Sequence, residues 1–243
     1  MKISNKQKQE IRKKIIHSAV EIITEKGFKS TSMKNISQKA GIADATIYNY
    51  FPTKESILYG YYHLSLETTI EHLKEVETFN QFTLQEQMQL FLETSLTVYT
   101  NDREFVQKTF QLTFLSATSV LHDISPIRKT CIAVFHDLLE AATEVNEIPE
   151  QAGQDLIEHL LFDYYFGIVL YWLKDTSEQF TQTTLLIDKT LAIIIALLKS
   201  DITSKLFDLF SYLFKTHVLS NFESIKETAE TFTKVKRNFM GDD

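Results

Sequence analysis

The sequence predicts an all-α protein with a small helical head at its N-terminus and a larger helical body behind it. Three observations carry this. Only six glycines and three prolines interrupt 243 residues, so long stretches can run as helices joined by short loops. Apolar residues recur at three- and four-residue spacing along most of the chain. Charge is unevenly placed: up to Glu55 there are eleven Lys and Arg against five Asp and Glu, a net +6, which leaves −13 on the rest of a chain totalling −7. A basic head on an acidic body suits a protein that presents one end to phosphates. An apolar content of 44% and a charged content of 23% are those of an ordinary globular chain.

The first helix is expected over about 6–26, where Ile11, Ile15, Ala19 and Ile22 form a stripe that Ile16 and Ile23 widen. Gly27 stands where a left-handed C-terminal cap is wanted. Thr31 or Ser32 can cap a second helix over about 33–40, which Gly41 breaks. A third, short helix over about 44–50 closes at Phe51-Pro52, because the residue before proline is pushed out of helical geometry. A fourth begins at Thr53, with Lys54 and Glu55 in its first turn, and runs to about Val76. Amphipathic stretches follow at about 84–100, 103–119, 126–145, 150–173, 181–200 and 202–222, and the more polar tail from Glu223 could be helical to about Phe239. Pro126 and Pro149 fall near helix starts, where proline is tolerated. The stretch 181–200 is apolar almost all round, through Leu185, Leu186, Ile193, Ile194, Ile195, Leu197 and Leu198. Such a helix must be buried, either centrally or between subunits. With 150–173 it is the best candidate for contact between two copies.

Several function classes fall away. Cys131 is alone, which rules out an internal disulfide and a cysteine zinc site, and it reads as a small buried hydrophobe. The glycines are too dispersed for a phosphate-binding loop, and neither G-x-S-x-G nor H-E-x-x-H occurs. No enzyme, metal or cofactor is therefore expected. His159 and Asp163 stand one turn apart, too small a set to hold a metal alone. His122, His136 and His217 read as ordinary surface or core residues. The first ten residues are polar and basic, without the apolar stretch of a signal peptide. The longest unbroken apolar run, 191–198, is far short of the about 20 residues a spanning helix needs. The expected location is the cytoplasm, with no membrane partner.

The informative block runs from Met33 to Phe51. A helix-turn-helix needs two short helices crossing over a tight turn, the second free to enter a major groove. Ile36 and Ala40 should face inward from the first helix, small Ser37 lets the second approach, and Gly41 supplies the positive φ of the turn. Ile42, Ile47 and Tyr50 complete the shared core. That leaves Asp44, Ala45, Thr46, Tyr48 and Asn49 facing outward. Asn49 can pair with adenine and the Thr46 methyl can touch thymine, while Tyr48 can reach a phosphate or stack on sugar. Lys54 lies at a helix N-terminus, a natural phosphate site.

The stretch from about Ile15 to Tyr61 resembles the N-terminal domain of the TetR family of bacterial regulators. The pattern appears as Ala19, Gly27-Phe28, Thr31-Ser32, Ile36, Ala40-Gly41-Ile42, Thr46-Ile47-Tyr48, Tyr50-Phe51, Lys54-Glu55 and Leu58. The resemblance implies a three-helix DNA-binding domain at 1–60, with its motif at about 33–52, and a helical ligand-binding and dimerisation domain at 61–243. Its partners would be a double-stranded DNA operator, a second copy of the chain and an unidentified small-molecule inducer. On matching positions, Thr31, Ser32 and Lys34 would touch DNA from the first helix of the motif. Asp44, Ala45, Thr46, Tyr48 and Asn49 would lie in the groove, Tyr50 near its wall and Lys54 on phosphate. One departure is Ala43-Asp44, where members usually carry a serine-like cap and often a basic or small residue. Asp44 either caps the helix while repelling phosphate, or accepts from a cytosine amino group.

In the body, aromatic side chains crowd the middle helices. They are either plain core or the lining of a cavity for a small apolar or aromatic molecule. The candidate lining is Phe110, Phe114, Phe135, Phe162, Tyr165, Phe166 and Trp172. The implied function is a ligand-responsive regulator, in the first instance a repressor, that grips a palindrome as a homodimer and is released by the ligand. An activator would share these features, and a protein-binding module with a basic head would share the charge pattern.

Overall fold

The computed structural model describes residues 4–114 and 125–200, together with Ile202, Lys205, Asp208, Leu209 and Tyr212. Along these residues the chain forms α1 (Asn5–Lys26), α2 (Met33–Lys39), α3 (Asp44–Ile47), α4 (Lys54–Lys74), α5 (Leu84–Thr100), α6 (Arg103–Phe114), α7 (Ser125–Glu144), α8 (Gln154–Lys174) and α9 (Thr181–Leu198). Single 3-10 turns stand at Phe79–Gln81 and Glu178–Phe180. The fold is all-α, as expected. The end of the stretch expected over 103–119, and most of the helices expected beyond 202, lie outside the described residues.

Helix starts follow local chemistry. Ser4, Ser32, Thr53 and Thr83 each accept a hydrogen bond from the backbone amide three residues on, and the residue there returns one, which satisfies amides that a helix start leaves unpaired. Two boundaries differ from expectation. Helix α3 ends at Ile47 rather than Tyr50, because the next amides take tighter three-residue bonds, Asn49 to Thr46 (3.1 Å) and Tyr50 to Ile47 (3.0 Å). Helix α8 begins at Gln154 rather than 150, because Gly153 sits in the left-handed region at φ 71 and ψ 36.

The α1 stripe is buried as its spacing requires, through Ile15, Ile16, Ala19, Ile22 and Ile23. Helix α4 is the shared strut, touching α1 in the head and α5, α6 and α7 in the body. One continuous core therefore runs from Ile15 to Leu198. Polar ties stitch it: Tyr62 to Thr109 (2.7 Å) joins α4 to α6, Tyr99 to Tyr165 (3.1 Å) joins α5 to α8, and Tyr164 to Thr190 (2.7 Å) joins α8 to α9. Nη2 of Arg103 donates to the carbonyls of Trp172, Leu173 and Asp175 at 2.8–3.1 Å, where a cation suits the C-terminal end of α8. Lys108 donates to the Thr24 carbonyl at 2.5 Å, fastening α6 to the last turn of α1.

Helices α8 and α9 carry more apolar surface than this packing uses. Gln154–Lys174 and Glu178–Leu198 have windows of mean hydropathy 1.2 and 1.5, long and apolar enough to cross a membrane by length and composition. The unbroken-run criterion missed this because scattered threonines and single charges do not stop a window average. Helix α9 buries one stripe, Thr183, Ile187, Leu191, Ile195 and Leu198, and leaves Leu185, Ile193 and Leu197 open. Helix α8 leaves Leu156, Leu160 and Tyr171 open. An uncovered apolar face therefore runs along α8 and α9.

Candidate nucleic-acid interface

The second motif helix is held by its inner side and open on its outer side. Ile47 and Phe51 are fully buried, with Ile36 and Ala40 of the first motif helix beneath them. Gly41 takes φ +62 at the turn, a conformation an L side chain adopts only under strain. Asp44, Ala45, Tyr48 and Asn49 are exposed, and Thr46 and Tyr50 half-buried. Tyr48 is 55% exposed, a large aromatic left in solvent at the most prominent position of the motif.

Asp44 makes a bond that spacing did not reveal. Its Oδ1 accepts from the Ser37 hydroxyl at 2.6 Å, tying α3 to α2, while Ala43 at the N-cap offers no side chain. Ser37 Oγ also lies 2.9 Å from the Lys34 carbonyl, so its single proton is shared between two acceptors. One oxygen of Asp44 is thus committed inside the motif. The capping bond expected of its side chain is not made.

The basic residues divide into two groups. Lys34 is exposed on α2. Lys39 pairs with Glu21 at 2.6 Å, and that hydrogen bond with the attached charge raises its pKa. Arg12 lies 4.3 Å over the Phe51 ring and Nη1 donates to the Tyr50 carbonyl at 3.4 Å. Burial lowers its pKa, against the opposing pull of Glu67. Gly60 completes this corner, since a Cβ there would stand 2.7 Å from Phe51 Cε1. The Arg12–Phe51–Gly60 stack joins α1, the link after α3, and α4, and left no periodic trace in the sequence.

Two of the expected DNA contacts, Thr31 and Lys54, make hydrogen bonds within the head. Thr31 is buried, and its hydroxyl donates to the Gly27 carbonyl at 2.9 Å, so it closes the turn after α1. Lys54 Nζ donates to the carbonyls of Phe28 (2.6 Å) and Thr31 (2.7 Å), and lies 4.2 Å from the centre of the Phe28 ring. Ser32 is exposed and serves as the N-cap of α2.

Several of the aromatics proposed as a cavity lining pack against other rings. Phe110 stacks on Phe166 at 4.8 Å and meets Phe114 at 4.7 Å. Phe135 and Tyr165 both pack on Phe91, Trp172 packs near Tyr99, and Phe162 lies under the Arg128 guanidinium. A groove of about 400 Å3 opens elsewhere, between the end of α4, the Phe79–Gln81 turn and α7. Ile70, Leu73, Val76, Phe79, Val134 and Leu138 give it apolar walls, with Lys74, Glu77, Asn80 and Asp137 around them. It went unread in the sequence because its residues come from three separate elements.

Comparison with known proteins agrees with this geometry. Residues 15–59 match the family model described as bacterial regulatory proteins, tetR family, and residues 87–213 match the tetracyclin repressor-like C-terminal domain. The fatty acid metabolism regulator protein of Bacillus subtilis is 26% identical over 173 residues, covering 71% of this chain and 89% of that protein. The crystal structure of FadR from Bacillus subtilis in complex with stearoyl-CoA superposes with a TM-score of 0.58 at 24% identity, over 77% of this chain and 97% of the other. A TetR-family regulator from Syntrophomonas wolfei reaches 0.64 at 17% identity, over 78% and 97%. With the helix-turn-helix exposed at one end and both family models matched in order, the chain belongs to the TetR family of DNA-binding transcriptional regulators.

Proposed function

We propose that the chain works as a homodimeric repressor, whose two heads bind a palindromic operator in the cytoplasm and whose body releases it on binding a fatty acyl-CoA. The observation that carries the DNA half is the exposure of Asp44, Ala45, Tyr48 and Asn49 on a short helix whose opposite side is anchored by Ile47 and Phe51. A rod of that kind fits a major groove, with Asn49 and Thr46 placed for base edges and Ser32, Lys34 and Tyr50 along its walls. The head at 1–60 is the reading unit and the body at 61–243 the regulatory and pairing unit, with α4 passing between them. The open face of α8 and α9 supplies the surface by which two copies pair.

The ligand class rests on the regulators it resembles, one named for fatty acid metabolism and one carrying stearoyl-CoA. The groove between α4 and α7 supports part of it, since about 400 Å3 with apolar walls suits an acyl chain, the bulkier CoA portion lying outside. A molecule wedged there bears on α4, whose other end carries the head. Release requires that the ligand prefer the non-binding arrangement, by about 1.4 kcal/mol for each tenfold loss of DNA affinity. Titrating the protein–operator complex with stearoyl-CoA is expected to displace the duplex. Val134→Trp, which fills the groove, is expected to bind the operator as before and to need at least ten times more ligand. If no acyl-CoA changes operator affinity, the ligand assignment fails and the DNA assignment stands.

A further inference from the structure

We infer that Lys54 is a positioning residue that clasps together the two ends of the DNA-reading unit, and that it does not serve as a phosphate contact. This rests on the DNA-reading function proposed above. Lys54 is the first residue of α4, where unpaired amides and the helix dipole already present positive charge. An ammonium is disfavoured there unless something negative meets it. The chain meets it with two carbonyls, Phe28 at 2.6 Å and Thr31 at 2.7 Å, and with the face of the Phe28 ring at 4.2 Å. Hydrogen bonds from a charged donor are about twice as strong as neutral ones, and an ammonium over an aromatic face gains further.

The position of those carbonyls gives the contact its meaning. Both lie in the loop between α1 and α2, which is itself drawn closed by Thr31 N to the Phe28 carbonyl (3.3 Å) and Thr31 Oγ1 to the Gly27 carbonyl (2.9 Å). The next residue, Ser32, is the N-cap of α2, and Thr53, the residue before Lys54, is the N-cap of α4. Residues 32–53, which contain both motif helices and the turn, therefore begin and end at one ammonium. Neither α2 nor the end of the motif can shift against α4 without breaking charged hydrogen bonds. With two of its three protons on carbonyls and a ring against it, Lys54 has one proton left to offer a phosphate and is held facing the loop. Lys34, exposed on α2, is the better phosphate ligand.

Salt dependence separates the two roles. Removing one cation that neutralises a phosphate flattens the slope of log K against log salt by about 0.9, so by about 1.8 for two subunits. Full-length Lys54→Met is titrated between 50 and 200 mM salt with the preferred duplex and a scrambled one, Lys34→Met serving as the phosphate control. The clasp predicts a tenfold or larger loss on the preferred duplex, little change on the scrambled one, and the wild-type slope. A fall in slope near that of Lys34→Met, with both duplexes weakened alike, overturns it, as does unchanged affinity. Should Lys54→Met melt below the assay temperature, Phe28→Leu removes the ring but keeps the charge; a loss on the preferred duplex at the wild-type slope supports the clasp, and unchanged affinity overturns it. If the wild type prefers no duplex, the DNA reading fails by itself. Amide exchange across residues 28–35 then tests the clasp, with faster exchange in Lys54→Met supporting it and equal exchange overturning it.

Discussion

Replacing Ile193 by Glu is expected to leave the chain folded, make it monomeric, and abolish tight binding to a duplex with two half-sites. Ile193 is 61% exposed on the outer side of α9 in the single chain, so a carboxylate there costs the monomer little. Around it lie Leu185 and Leu197 of the same helix, and Leu160 of α8 is 57% exposed. Added Cβ at Gly167 on α8 would meet nothing within 4 Å, so a second backbone can approach closely there. A contiguous apolar face of this kind marks an interaction surface in a protein that otherwise covers its core. In a two-fold dimer every residue of the patch occurs twice, so the substitution places two unpaired charges in the interface. Each carries a desolvation cost of several kcal/mol, enough to dissociate a dimer of ordinary size. Losing the second head then lowers affinity by a factor on the order of 10² to 10⁴. Sedimentation and duplex titration read both effects. An Ile193→Glu protein that remains dimeric shows that the interface lies elsewhere.

The second large effect is expected from Phe51→Ala. The ring is 1% exposed, between the Arg12 guanidinium and Gly60 of α4, where a Cβ would already collide. Truncating a buried phenylalanine costs about 3–5 kcal/mol, part transfer and part cavity. A head of some sixty residues holds only about 3–9 kcal/mol at the usual stability per residue. The substitution therefore removes most of what keeps the head folded, whereas the body end of the shared core, around Phe91, Phe110, Phe135 and Trp172, keeps its own contacts. The expected result is an early melting transition of a minority of the helical signal, a dimer that persists, and no operator binding. A single cooperative melt shifted by only a degree or two would show that Phe51 is not a keystone of the head.

The two variants separate what could be read from the residues and what could not. Periodicity placed α1 and its stripe because a helix that buries one side must repeat its apolar residues near every 3.6 positions. The motif was legible because a tight turn, a close helix crossing and an outward face each demand a residue type, and Gly41, Ser37 and Ile47 met them at fixed offsets. The apolar girth of α9 foretold burial within or between chains, and the single chain covers one stripe and leaves another open. Contacts between residues far apart in the chain had no such signature. Lys54 meets carbonyls 23 and 26 residues away, and backbone acceptors leave no mark on side-chain identity. The aromatic residues were visible, but which rings meet depends on tilt and depth, as in the contacts of Phe110 with Phe114 and Phe166.

The most direct measurement is selection of bound sites from a random duplex library by the full-length protein, run in parallel with Asn49→Ala. Two inverted half-sites one helical turn apart, about 34–36 Å between centres, are expected for the wild type. The variant should lose discrimination at one base pair of each half-site, by about 1–3 kcal/mol, and keep the symmetry. Recovery of no preferred sequence, or of identical preferences from both proteins, would contradict the assignment of residues 44–49 as the surface that reads DNA.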